Sequence, residues 1–524
     1  MRTNSYIKRT GKKELTRTLT ANKDQMYLNI SIKKGDEVVY SGRANSLVGN
    51  FIKLFGVTLG PTPLHNEGMD YMEVFNNRLN PEHCPIVCRS GATMASEGTL
   101  NTAANYSNII EWDAGSPKRA RVRGATASTV PGQVWDFATH VKIWDNPNHG
   151  LYKVLNIEPG TNTHNRWVTL EGLDCDAADP TTGFAVPFMR FNLRHNQSHA
   201  DSNNLRKNRI YVGSGDKAVA IDDVFLEKAY FTDTFSGGTM TVNAPVIAVN
   251  QSRIAMSAQF TNVSGSTQNV REVGLCLNAS GGGTSDVITS DAGIREDGTF
   301  GRGHPSSACM VARDLVTPFN VDPAESFTVI YEFVTSVNVG ETSGVVAAFN
   351  EALYRQVEQA NRVVRTYFNV DHNTNQTAYQ FLIRNDSRYH VNDNIDFQIT
   401  GPILGAEETD VDIDDYFLRN ISNGHSRIAH GEADGRLWYH ATERLLPEET
   451  PNSVYLVFSR LVENRGSVPV TAKQIGFVCL SAATENRPML ITHDIIPEAD
   501  QITIAPGELY RITYKIGVEI NGGS

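Results

Sequence analysis

Short runs in which apolar and polar residues alternate dominate this chain, and they predict strands far more often than helices. Met26 to Tyr40 alternates through Leu28, Ile30 and Ile32, turns at Gly35-Asp36 and resumes at Val38, which is a hairpin pattern. Asn45-Ser46 then caps a predicted short helix, with Leu47, Val48, Phe51, Ile52, Leu54 and Phe55 as an apolar stripe ending at Gly56. Strands are expected at 134–137, 166–170, 209–213, 246–260, 271–277, 309–313 and 327–333, with a turn at Asp145-Asn146-Pro147-Asn148-His149-Gly150. Thr342 to Phe368 carries the one long helical pattern, in which Phe349, Leu353, Val357, Ala360, Val364 and Phe368 fall on one face. Strands follow again at 378–383, 395–399, 410–418, 453–461, 475–480 and 509–518.

The order of these elements repeats. Ile221-Asp222-Asp223-Val224-Phe225-Leu226 returns as Ile413-Asp414-Asp415-Tyr416-Phe417-Leu418. Glu272-Val273-Gly274-Leu275 is answered by Gln474-Ile475-Gly476-Phe477, and Val321 to Tyr331 by Ile504 to Tyr514 with Pro, Glu and Tyr at fixed spacing. Blocks matched in one order, in units far longer than a solenoid repeat, predict two related domains.

Composition narrows the classes without naming one. The chain has 524 residues, long enough for several domains, and its 42 glycines with 40% apolar and 20% charged residues lean towards a globular β protein. A net charge of −11 argues against a body that wraps DNA or RNA. No apolar run reaches the roughly 18 residues of a membrane span, and the amino terminus has no secretory core segment. The six cysteines form no framework. Cys276 and Cys479 read as buried residues in strands. Cys84 and Cys88 beside His83 lack the second ligand pair of a zinc site.

Candidate sites are few. Residues 1–20 form a basic arm, with Arg2, Lys8, Arg9, Lys12, Lys13 and Arg17 against Glu14 alone. Such a run is a solvated tail, or an arm ordered by an acidic neighbour. Trp112, Trp135, Trp144 and Trp167 cluster in residues 110–200, where strand alternation places indoles in a core. The alternative is a face that stacks on sugar rings, with Trp135, Trp144 and Trp167 as the glycan contacts. Asp174, Asp176 and Asp179 lack the Gly and distal Glu of a calcium loop. Asp410, Asp412 and Asp414 alternate, so an extended chain points all three to one side, where a cation or a basic neighbour would relieve their repulsion. They are the candidate metal ligands. The Asp pair common to both repeats reads as a turn or strand-end cap. Gly213-Ser214-Gly215 precedes a strand-like run, so it is no phosphate loop. Hydrolase, metalloprotease and nucleotide-loop motifs are not found, and no pair of carboxylates stands out as a glycosidase dyad.

Val212-Gly213-Ser214-Gly215, then Ala218 to Asp223, Leu226-Glu227, Arg271 to Leu275, Ala312-Arg313-Asp314 and Val321 to Tyr331 together resemble a module of virion structural proteins of tailed bacteriophages. A helix similar to Asn45 to Phe51 opens that module. The resemblance covers much of 40–340 and, more weakly, 345–518. In the second copy Gly401-Pro402-Ile403-Leu404-Gly405 replaces the glycine turn and His493 replaces Arg313. The resemblance implies a tail, neck or capsid-exterior protein without assigned catalysis.

The expected architecture is mainly β: two related sandwich-like domains, each preceded by a helix, with a β-rich insertion in the first. The basic arm spans 1–20, the first module 21–340 with its insertion at about 105–205, and the linking helix with the second module 341–524. The expected role is structural, in a virion assembled in the bacterial host cytoplasm. It needs no catalytic residue, cofactor, membrane or nucleic acid, and its partners are other copies of the chain and neighbouring virion proteins. The alternatives are a fibre or adhesin binding a host surface glycan, and a virion-associated glycan hydrolase.

Overall fold

The computed structural model describes residues 7–8, 14–23, 25–44, 46–52, 85–89, 107–123, 138–144, 146–159, 165–181, 184–192, 209–230, 234–278, 308–338, 340, 343–346, 349–350, 353, 401–407, 410–413, 431–480 and 488–520. Among these residues the fold is mainly β, with several antiparallel sheets and little helix.

The amino-terminal strands are β1 (Ile7–Lys8), β2 (Glu14–Ala21), β3 (Met26–Lys34) and β4 (Glu37–Ala44). The hairpin of β3 and β4 turns at Gly35, whose φ of +56° suits glycine. The insertion contributes β5 (Pro85–Arg89), β6 (Ser107–Asp113), β7 (Arg119–Arg123), β8 (Ala138–Trp144), β9 (Gly150–Pro159), β10 (Asn165–Leu170) and β11 (Phe184–Asn192). Its strands run β11-β6-β7-β10-β9-β8, and β8 pairs back onto β11, so six strands close a ring with β5 outside it. Ring closure leaves no open edge among those six. Ile109, Trp112, Val122, Ile143 and Val168 fill a core of their own.

The first half continues with β12 (Arg209–Gly213), β13 (Phe235–Gly237), β14 (Thr241–Val242), β15 (Val246–Ala248), β16 (Gln251–Asn262), β17 (Gln268–Asn278), β18 (Ala308–Val321) and β19 (Ser326–Ser336). One sheet is β13-β16-β19-β3-β4, with β14 and β15 also on β16, and the other is β12-β17-β18. The second half holds β20 (Ser343–Val345), β21 (Gly401–Gly405), β22 (Trp438–Thr450), β23 (Ser453–Glu463), β24 (Val470–Ala472), β25 (Gln474–Leu480), β26 (Pro488–Ile495), β27 (Ile502–Ile504) and β28 (Leu509–Glu519). Its sheets are β1-β2-β28-β23-β22, β20-β26-β25-β21 and the pair β24-β27.

Positions matched between the repeats fall on corresponding strands. Gly274 sits on the middle strand β17, opposite Arg313 and Tyr211; Gly476 sits on β25, opposite His493 and Ile403. Tyr331 and Tyr514 are both fully buried, on β19 beside β16 and β3, and on β28 beside β23 and β2. Asn262 donates to Ser266 O and Val321 O at 2.9 and 2.8 Å, and Asn464 to Val468 O and Ile504 O at 2.8 Å each. The turns between β18 and β19 and between β27 and β28 pass through left-handed Ala324 and Gly507, which donate their N–H to the carbonyls of those two asparagines. Asp414 lies outside the described residues, so its match to Asp222 has no structural counterpart here.

Two expectations are corrected. The segments leading into the halves begin extended, not helical. Val48 N donates to Val311 O, Leu47 bridges Ala312, and helical turns are described only at residues 49–52. Ser343–Val345, placed in the long predicted helix, is strand β20 on β26, with helical residues described at 349, 350 and 353. In these first residues backbone pairing with β18 and β26 takes the place of local helix formation. Phe51 and Phe349 then meet on Phe333, each with its ring centre 5.5 Å away. One apolar core includes residues of both halves.

The basic arm is the second correction. Residues 14–21 form β2, with Leu15, Arg17, Leu19 and Ala21 turned inward and Glu14, Thr16, Thr18 and Thr20 half-exposed. Counting charges hid a clean period of two, because one of the inward positions is an arginine. Arg17 is therefore a buried strand residue and not a side chain of a solvated arm. Lys8 lies on β1, while Arg2, Arg9, Lys12 and Lys13 lie outside the described residues.

Candidate assembly interface

The amino-terminal strand joins the second half, not the first. β2 runs parallel to β28, in register from Glu14 opposite Arg511 to Ala21 opposite Val518. Arg17 Nη2 donates to Asp494 Oδ1 at 2.5 Å, with side chains 1% and 0% exposed. Arg17 Nη1 donates to Thr18 O. The Tyr514 hydroxyl lies 3.0 Å from Asp494 Oδ2 and 2.6 Å from Thr492 Oγ1. Outside this buried group, Thr20 Oγ1 meets Tyr455 Oη at 3.1 Å, and Lys23 pairs with Glu519 at 2.6 Å.

The link from β2 to β3 ties both halves together. Asn22, at φ +67°, donates from Nδ2 to Leu47 O at 3.0 Å and to Glu519 O at 3.3 Å, and accepts from Leu47 N at 3.1 Å. Gln25 donates to Ser343 O and Oγ at 3.0 and 2.7 Å.

The first half has a corresponding tyrosine and aspartate without the arginine. Tyr331 and Ser46 donate to Asp314 Oδ2 at 2.9 and 2.7 Å. Burial pushes the Asp314 carboxyl up to about 6, against the pull of those two donors and of Arg313. The folded state therefore binds this proton more tightly than the unfolded state, where the carboxyl titrates near 4. Stability from this group rises as pH falls through 6 and levels off near 4. We expect the unfolding free energy to gain about 1 kcal/mol between pH 7 and pH 5 through Asp314. Denaturant titrations of the wild type and of Asp314→Asn check this: the variant should lack that increment.

The residues that carry the virion-module resemblance form a closed polar knot. Glu272, 0% exposed, accepts the N–H groups of Gly215, Glu227 and Lys228 at 3.1, 3.0 and 2.6 Å. Arg313 donates to Glu272 at 3.1 Å, to Asp223 at 2.9 Å and to Lys217 O at 2.9 Å. Burial opposes the Arg313 charge, yet Asp223 and Glu272 outweigh it and the guanidinium pKa is raised. A Cβ on Gly213 would sit 2.5 Å from Lys228 O, and one on Gly215 2.5 Å from Glu272 Oε1, so the glycine pair makes room for the carboxylate. Asp223 also accepts Ala220 N at 2.8 Å, which makes it a turn anchor. In the second half His493 and Gln474 stand at the places of Arg313 and Glu272, both buried.

The other candidates do not converge. Trp167 is half-buried on the outer side of the insertion ring, with the Arg119 and Arg121 guanidinium groups 4.8 and 5.6 Å from its ring centre. Those arginines pair with Asp113, Glu158 and Glu111. Trp144 ends β8, and Trp135 lies outside the described residues. Trp112 belongs to the insertion core and donates from Nε1 to Pro180 O at 3.0 Å. Asp174 pairs with Lys118, and Asp179 accepts from Asn148 at 2.9 Å, so this cluster ties a loop down. Asp410 and Asp412 are exposed on either side of buried Val411, and Asp414 lies outside the described residues. Among the described residues no group of three or more His, Cys, Asp or Glu is placed to hold a metal ion.

Arg17, Glu272, Arg313, Asp314 and Asp494 are the charged groups that organise the fold. For Arg17 the signal was an ionisable residue at an inward position of an alternating strand; Glu272, Arg313, Asp314 and Asp494 lie in continuously buried stretches that carry no such alternation. Neither a search of protein families nor one of curated proteins matches this chain.

Proposed function

We propose that the chain is a structural component of a tailed-bacteriophage particle, in its tail, neck or capsid exterior, and that it acts through protein–protein contacts. The two halves are read as copies of one sandwich-like module, and the matched asparagines, tyrosines and turns support that reading. The single observation that carries the structural role is the polar knot. The residues shared with the virion module, Gly213, Gly215, Asp223, Glu272 and Arg313, all serve to hold one loop onto one sheet. Their chemistry is used inside the fold.

Arg2, Lys8, Arg9, Lys12 and Lys13 lead into a strand whose place is fixed, and the chain as a whole carries −11. We assign to them a contact with an acidic neighbour, either a second copy or another virion protein. Ion pairs at such a contact weaken over about 8 Å of screening at physiological salt.

Mass spectrometry of gradient-purified particles tests the proposal. The chain should co-purify with the particle at a fixed copy number, and purified protein should leave host polysaccharide and peptidoglycan uncleaved. Recovery only in the soluble fraction, or a cleavage activity lost on changing one carboxylate, would overturn it.

A further inference from the structure

The slot beside β28 treats β2 as a ligand. The two strands lie at opposite ends of the chain, and the residues of the central ion pair are 477 positions apart. No turn joins them, so no turn sets their register. A parallel pair without a local connection must be aligned by its side chains. A slip of one residue would turn Leu15, Arg17, Leu19 and Ala21 to the outer side and leave Asp494 without its arginine. Fixing a register is the best-attested use of a buried ion pair, because such a pair adds little net stability. Main-chain pairing, alternate side chains in pockets and one charged selector are the features of strand addition between separate chains.

The connection that would have to open is short. Residues 22–25 connect β2 to β3, and they start with left-handed Asn22. Exchange of an element between copies is a low-cost route to dimers, since every contact of the exchanged strand is remade and only the hinge changes.

We propose that the β28 slot also accepts β2 of a second copy of this chain, so that neighbouring subunits are joined by exchanged amino-terminal strands. This rests on the reading of the chain as an assembling structural protein. Arg17 of one copy then meets Asp494 of the other, and the same residues that lock the monomer select the partner. Reciprocal exchange gives a closed pair; one-way exchange gives a run of subunits.

The test uses full-length chains and two mild substitutions. Thr18 and Lys515 are opposite each other in the β2–β28 register, and both are half-exposed. Thr18→Cys and Lys515→Cys chains are co-expressed, treated with a short bismaleimide and run on a denaturing gel. Thr18→Cys/Lys515→Cys in one chain serves as reference, and the wild type gives the background of native cysteines. Exchange predicts a cross-linked dimer in the mixture, several-fold above either single variant alone. It also predicts more dimer when Lys23 and Asp24 are deleted, because the closed turn can no longer form. Cross-linking confined to the double variant as a monomer, with the mixture at background, would overturn the proposal. So would a double variant that does not cross-link, since β2 would then not occupy the slot. Particle incorporation is read separately, so loss of exchange with normal incorporation rejects this inference and leaves the structural role standing.

Discussion

Arg17→Ala is expected to lower the unfolding free energy by about 3–5 kcal/mol, the cost of leaving one buried charge without its partner. Asp494 is fully buried, and in the variant its carboxylate keeps the Tyr514 hydroxyl but loses the guanidinium 2.5 Å away. The strand carrying residue 17 also loses its alignment, so Leu15 and Leu19, at 0% and 2% exposure, become easier to release. Arg17→Lys should recover only part of the loss, because a single ammonium cannot serve both Asp494 and the Thr18 carbonyl as the fork does. Chemical denaturation of both variants, with Asp494→Asn and the double variant completing a cycle, measures this. A loss below about 1 kcal/mol for Arg17→Ala would be the size of a surface pair and would contradict a buried lock.

Arg313→Ala should have an effect of the same order, again about 3–5 kcal/mol, but with a different local signature. Glu272 would stay buried against the N–H groups of Gly215, Glu227 and Lys228, with no cation beside it. The segment from Gly213 to Ala229 is held to the sheet by this group and by Asp223, so it should open before the rest of the fold. Amide exchange at Gly215 and Lys228 should accelerate far more than at Val329 or Ile512, in the centres of β19 and β28. Uniform loss of protection across the chain would instead show that the knot supports the whole sheet and not one loop.

Much of the strand pattern could be read from the sequence because alternation with one buried face leaves a period of two. β3 and the first part of β19 carry that pattern, and the turn at 146–150 showed instead through its Asn, Pro and Gly. The paired positions Gly274 and Gly476, and Tyr331 and Tyr514, also stood out in the sequence, and each pair sits between similar strand neighbours.

Pairing partners were not legible. Nothing local distinguishes β2, which crosses to the far half, from β3, which stays in the near one. The closing of the insertion into a ring depends on β8 meeting β11, a contact set by strand tilt and not by any motif. Only the first residues of the leading segments depart from the expected helices: 46–48 and 343–346 are not helical, while the described stripe residues Phe51, Ile52, Phe349 and Leu353 are helical. Of the site, the aspartate pair read as a turn or strand-end cap, and Asp223 does anchor a turn through Ala220 N; the glycine pair stood out without its purpose. Glu272 and Arg313 show it only when β17 and β18 lie side by side.

A map of the assembled particle at a resolution that traces strands tests the structural role most directly. The structural role predicts density for this chain in the tail, neck or capsid exterior, with repeated copies in contact and an amino-terminal strand beside every β28. Particles that are complete and infectious with no copy of the chain in the map would contradict it.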